Sequence, residues 1–333
     1  MESTGIILTL AYPETIVMVA EEWYSPLLRF VGVGKKNYVR AGHAALVLIE
    51  MSTGILEYHD FGRYITPEPH GRVRGKETDF ELDFPLKAKI VDGSVENLQE
   101  LLEFLATHPK LTHGEGTMYA SICNRVNYKK AREHITKMQN KHFMRYAAFL
   151  KNATNCARFV ADALIESVVD ASLKRKLEQS KMFTPSTIGN VVIANTGAKV
   201  YRVTVQGEVS VFASSVRREN RRLFLDKLNG HQPNFIGTLK PKFNDQKSGH
   251  AQWLPGIAAG AWFEIHELES VQVFRFRRIS PHGNIDVDGV YQIDQIGFDI
   301  NEKYQFVQYS NCRFFHIEQQ EQIFRFEFVK HFS

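Results

Sequence analysis

The sequence is short of cysteine, of charge of one sign and of long apolar runs, and each shortage excludes something. Three cysteines, Cys123, Cys156 and Cys312, are too few and too scattered for a disulfide framework or a zinc site. Any thiol chemistry must therefore be argued one residue at a time. The 41 basic and 37 acidic side chains leave a net charge of +4. That balance argues against a nucleic-acid footprint, which needs a basic excess on one face. No stretch reaches about 18 uninterrupted apolar residues, so integral membrane association is not expected. Met1–Gly5 has no positive segment and the apolar run Ile6–Ala11 stops at Pro13, so the expectation is no signal peptide and cytoplasmic residence. Phosphate-binding glycine motifs and metal-ligand spacings are absent, and no cofactor is expected.

What is present suits a folded protein with a sizeable core. The 333 residues are 44% hydrophobic, 23% charged and 12% aromatic, ample for two domains. The first half mixes strands and helices. Ile6–Leu10, Thr15–Val19, Lys87–Val91 and Met118–Cys123 read as strands, and His43–Met51 with Ile55–Phe61 reads as a hairpin. Helical spacing covers Asn97–Ala106, Tyr128–Asn140 and Cys156–Val169. From about Val191 the pattern turns mostly to period two, as in Tyr201–Val205, Val271–Phe276 and Ile323–Phe328. The predicted class is α+β, with domains at 1–190 and 191–333. The second is a mainly antiparallel barrel or sandwich interrupted by one helix near Val216–Leu228.

Two segments carry chemistry. In Asn152-Ala-Thr-Asn155-Cys156-Ala157, good N-cap residues run straight into rising helix propensity. Cys156 thus falls in a first helical turn, where free N–H groups and the helix dipole favour a thiolate and could bind an oxyanion. The bland alternative is that Cys156 begins the buried stripe continued by Phe159, Val160, Ala163 and Leu164. The second segment is Gly42-His43, opening an apolar strand; His43 is either a satisfied core residue or a catalytic base. If Ser52-Thr53 is a two-residue turn, Ala45 faces Asp60 and His43 shares their side of the ribbon, within reach of the Asp60 carboxylate. A loop longer by one residue would present Glu57, His59 or Phe61 instead.

A Gly-His at a strand start, a tight hairpin and a later Asn-Cys opening an amphipathic helix resemble the permuted NlpC-type papain-like cysteine hydrolases. That group is similar to the lecithin retinol acyltransferase-like proteins. The resemblance covers about residues 1–190. It implies the order histidine, polar partner, cysteine along the chain. Tyr146-Ala-Ala-Phe149 resembles a Tyr-x-x-Phe segment that some members place before their cysteine, which implies Tyr146 beside the oxyanion. Ala147 departs from the family, which often has an acidic residue there.

The function expected is a cysteine hydrolase or acyltransferase acting on an amide or ester bond of a small-molecule, peptide or lipid substrate. Cys156 is the nucleophile, His43 the base and Asp60 its orienting carboxylate. The alternative is a catalytically silent papain-like binding module. Oligomeric state is not readable. Arg63, Arg72 and Arg74, the last two between Gly71 and Gly75, read as a loop able to hold a substrate anion or as a solvated basic turn. Arg217, Arg218, Arg221 and Arg222 make a basic helix face best read as exposed. Trp253–Trp262, with small residues between two tryptophans, reads as a mobile cover over a cleft or as a tight turn. Cys312 and the histidines His231, His250, His266, His282 and His316 suggest no second catalytic centre.

Overall fold

The computed structural model describes residues 2–19, 34, 38–229 and 247–333. The chain divides into two units, Met1–Phe61 with Phe84–Pro233, and Gly62–Asp83 with Asn234–Ser333. The division differs from the expected boundary near residue 190 because both units are discontinuous in sequence. His231 lies outside the described residues.

In the first unit, an antiparallel run of strands follows the order Leu56–Gly62, His43–Glu50, Gly5–Tyr12, Met118–Val126, Tyr201–Val203 and Val209–Val211. Gly5–Tyr12 is buried along its whole length and His43–Glu50 along all but its last residue. Their near-continuous apolar sequences suit strands covered on both faces. Helices Tyr128–Gln139 and Cys156–Ser167 pack on His43–Glu50, while Thr187–Ala194 packs on Gly5–Tyr12 and Met118–Val126. Tyr201–Val203 had been expected in the second domain, yet it pairs with Met118–Ala120. The helix Val216–Phe224 also belongs here: Leu223 packs with Ala11, Tyr119, Ile188 and Val191. Period-two alternation marks a strand but cannot name the sheet it joins. Among the described residues, no helix is long and apolar enough to cross a membrane.

The second unit is a seven-stranded antiparallel sheet with the spatial order Gln252–Leu254, Ala261–Glu267, Val273–Ile279, Ile285–Ile293, Gln322–His331, Phe314–Gln319 and Gln305–Val307. Its two edges approach: Gln252 donates to Tyr304 O at 3.1 Å and accepts from Phe306 N at 2.9 Å. The sheet is therefore barrel-like, and its interior holds stacked aromatics such as Phe276 and Phe315, with ring centroids 4.1 Å apart. Cys312 is a fully buried member of that core.

Two expectations fail here. Trp253–Trp262 is not a mobile cover but a hairpin, with Trp253 paired to Trp262 and their rings in edge contact at 5.4 Å. Gly256 is needed because a Cβ there would sit 2.3 Å from Ile65 N and 2.6 Å from Ala259 O. Residues 70–74 are a strand, not a loop, and their arginines point into protein. Arg72 makes a bidentate pair with Asp79 at 2.6 and 2.7 Å and donates to Tyr64 O. Arg74 stacks on Tyr64 at 4.0 Å, and Arg63 is buried. With these contacts the arginines hold protein groups, and Arg72 has no fork left for a substrate anion.

Asp79 also accepts from Arg278, which reaches Glu81 and Asp286 as well and is 1% exposed. Burial works against the Asp79 carboxylate, but Arg72 and Arg278 together hold its pKa well below the usual range. Replacing Arg278 by Leu would remove the buried cation that Asp79, Glu81 and Asp286 share. We expect Arg278→Leu to lower stability by about 3–5 kcal/mol, measured by urea unfolding of the whole chain. An unchanged midpoint would show that the network is solvated rather than sealed.

Candidate active site

The site is built where the His43 strand meets the start of the Cys156 helix. Asn155 caps that helix: its backbone is extended and its side-chain oxygen accepts the N–H of Arg158 at 2.9 Å. The Asn155 amide nitrogen donates to Ala147 O at 3.2 Å and Thr184 Oγ1 at 3.3 Å. Arg158 then turns back to donate to Leu150 O and Ala153 O. The segment entering the helix is thus clamped, which fixes Cys156 at the first helical position. Among the described residues, no backbone acceptor receives the N–H groups of Cys156 and Ala157.

The hairpin delivers the rest. Ala45 faces Asp60, as the expected register requires. The connection is nevertheless longer than the two-residue turn assumed. Glu50 donates its N–H to Ile55 O, Gly54 donates to Glu50 O, and Met51 bonds to Thr4 instead of Gly54. Lengthening the loop by one residue on each strand leaves the pairing unchanged, so Asp60 stays on the His43 side. Glu57 and His59, the alternatives, alternate away from Asp60 and join Tyr128 and Arg132. There, burial opposes the Glu57 charge, but bonds from His59 and Tyr128 and the Arg132 cation bring its pKa down to about 2.

His43 Nε2 lies 3.1 Å from Asp60 Oδ2. The Asp60 carboxylate is fully buried, and the Tyr58 hydroxyl sits 3.3 Å from the same oxygen. Tyr12, paired with His43 across the strands, stacks on the imidazole at 6.2 Å. The Cys156 thiol lies near enough to His43 to act on its charge. With Nε2 engaged by Asp60, Nδ1 is the ring nitrogen left for the thiol. Burial disfavours the imidazolium, but the bonds to Asp60 and Cys156, with the charges of both, outweigh it and raise the His43 pKa from 6.5 to about 9.

Burial pushes Cys123 up to about 11 and Cys312 well above its ordinary value. Tyr146 lines the cavity that Cys156 opens onto, its ring stacked 5.9 Å from Phe61. Ala147, where an acidic residue was noted as missing, is buried and bonded through its backbone to Thr154 and Asn155. The structure therefore gathers Cys156, His43, Asp60 and Tyr146, and leaves Arg72 and Arg74 in the ion network of the second unit. Sequence reading missed the Arg158 and Thr184 clamps, since neither has a signal beyond its place near Asn155. It also missed the cavity walls, which come from segments far apart in the chain.

The pH behaviour of His43 follows from its raised pKa. Its stabilising contribution is full below pH 6.5 and is lost as pH rises through about 9. We expect Asp60→Asn to lower the His43 midpoint by about one unit or more, read by NMR of the His43 ring protons. A midpoint unmoved by the substitution would mean that Asp60 does not hold the imidazolium.

Comparison with known proteins gives this site a context. Residues 251–329 match a family described as DUF6695 C-terminal domain. A solved crystal structure of the type VI secretion system effector TseH is 16% identical, covering 63% of this chain and 99% of that one, with a TM-score of 0.40. No curated protein matches the chain. Residues 7–173, half of the chain, match the family described as type VI secretion system effector TseH-like, and the protein belongs to that family.

Proposed function

We propose that the protein is a hydrolase-type effector that uses Cys156 as nucleophile on an amide or ester carbonyl. The observation that carries this reading is His43 bonded to the buried Asp60 carboxylate with the helix-start Cys156 thiol close enough to raise its pKa. A histidine that served packing alone would need neither a buried carboxylate nor a helix-start thiol as partner. The order of His43, Asp60 and Cys156 along the chain supports a permuted papain-like arrangement.

In this mechanism His43 holds the proton as an imidazolium beside Cys156, and the thiolate attacks the carbonyl carbon. Asp60 keeps the ring oriented and stabilises the imidazolium. The N–H groups of Cys156 and Ala157, at the positive end of the helix, meet the developing oxyanion, with Tyr146 beside them. His43 then gives its proton to the leaving amine or alcohol. Water, or an acceptor in acyl transfer, releases the acyl group from sulfur.

The decisive contrast lies among the three cysteines. At neutral pH, iodoacetamide should alkylate Cys156 at least about tenfold faster than Cys123 or Cys312, read by mass spectrometry of peptides. His43→Ala should remove most of that advantage. Equal slow labelling of all three thiols would favour the silent binding module instead.

A further inference from the structure

One oxygen of Asp60 serves two neighbours. His43 Nε2 lies 3.1 Å from Asp60 Oδ2, and the Tyr58 hydroxyl lies 3.3 Å from the same atom. Tyr58 and Asp60 stand two residues apart on the strand Leu56–Gly62, so their side chains leave the same face. Both are buried. The phenol has a second acceptor, Thr112 O, at 3.1 Å. Thr112 is the last residue of the short helix Pro109–Thr112, where a carbonyl lacks a helical donor.

A phenol carries one proton, and the two acceptors compete for it. A bond to a carboxylate is roughly twice as strong as one between neutral groups. A proton pointed at Thr112 O would also turn a phenol lone pair toward the buried carboxylate oxygen, at a cost in a site sealed from water. The proton therefore sits toward Asp60 Oδ2, with Thr112 O as the weaker acceptor. Charge that Asp60 Oδ2 gives to the phenol is withheld from the imidazole, because the same oxygen accepts the His43 ring N–H. Tyr12 and Cys156 face the pair from other elements. Tyr12 stacks on the imidazole, but its hydroxyl donates to Leu105 O at 3.2 Å, and the Cys156 thiol acts on the His43 charge.

We propose that Tyr58 is a positioning residue of the site: its hydroxyl donates to Asp60 Oδ2, fixes that oxygen on the His43 ring N–H and restrains the carboxylate's pull on the imidazole proton. The consequence for turnover rests on the cysteine-nucleophile reading. There His43 must release its proton to the leaving group, and an imidazole that holds it too tightly is a poor acid. The bond itself stands apart from that reading.

The test is NMR titration of the His43 ring protons in the whole chain. Tyr58→Phe keeps the ring that packs 5.6 Å from Phe84 and removes only the hydroxyl. The His43 midpoint should rise by about half a unit or more. Replacing Tyr58 by 3-fluorotyrosine, whose more acidic hydroxyl is the stronger donor, should lower it by about 0.2 unit. Tyr12→Phe, the loss of a buried hydroxyl directed elsewhere, should move it by less than about 0.2 unit. With Asp60→Asn already in place, Tyr58→Phe should shift it no further, because the group through which Tyr58 acts is gone. Opposite signs for the two Tyr58 replacements are not expected of a side chain that serves packing alone. In Cys156-dependent hydrolysis of p-nitrophenyl acetate, the alkaline limb of kcat/KM should move upward with the midpoint in Tyr58→Phe.

A midpoint that stays or falls in Tyr58→Phe overturns the proposal, as does an equal rise in Tyr12→Phe. A rise that persists in the Asp60→Asn background overturns it too. If Tyr58→Phe does not fold, the fluorotyrosine arm decides: a midpoint that fails to fall overturns the proposal. The expected midpoints without any Cys156-dependent turnover would uphold the role of Tyr58 and overturn the cysteine reading instead.

Discussion

The contact between His43 Nε2 and Asp60 Oδ2, at 3.1 Å, is the interaction on which the candidate site of the first unit depends. It joins neighbouring strands, so it exists only in one register. A slip of one residue would turn Asp60 away and bring His59 or Phe61 to its place. The register is protected by burial, since His43–Glu50 is covered on both faces and a slip would repack the whole strand. Sealed from water, the carboxylate and imidazole interact more strongly than an exposed pair would. The raised His43 pKa comes from Asp60 and the neighbouring thiol, which outweigh the opposing effect of burial.

The thiol is placed by a different device. Cys156 opens its helix because Asn155 caps it, and Asn155 is itself tied to Ala147 and Thr184. The Asn190 amide donates to Ala157 O at 2.7 Å, adding a further segment to the support of the same turn. A buried strand end carrying His43 and a clamped helix start carrying Cys156 thus come close together. The polar groups of this support are used in the support, which is why the adjoining cavity presents so much hydrocarbon.

The second unit is organised around the opposite problem, holding charge inside a barrel-like sheet. Arg278 is buried among Asp79, Glu81 and Asp286, and Arg72 shares Asp79. Such a network contributes less net stability than its number of bonds suggests, because each ion had to leave water. Its removal in part is far more costly than its presence is beneficial. The arginines that looked available in the sequence are held here.

Much of the first unit was legible in the sequence. The cap residues before Cys156, the apolar strand after His43 and the parity of the hairpin are local properties, set by propensity and by the two-residue period of a strand. Parity even survived a longer loop, because adding one residue to each side does not change which side chains face each other. Other features were decided by tertiary structure. Residues 70–74 looked like a loop because glycines flank the arginines, and burying those arginines required Asp79 and Glu81. The strand Tyr201–Val203 had the right period but no local mark of its partner. The cavity beside Cys156 joins Pro13, Val39, Phe149 and Leu223, whose meeting is a property of packing. Local pattern sets conformation and facing; distant segments must come together before a buried charge is neutralised or a cavity is enclosed.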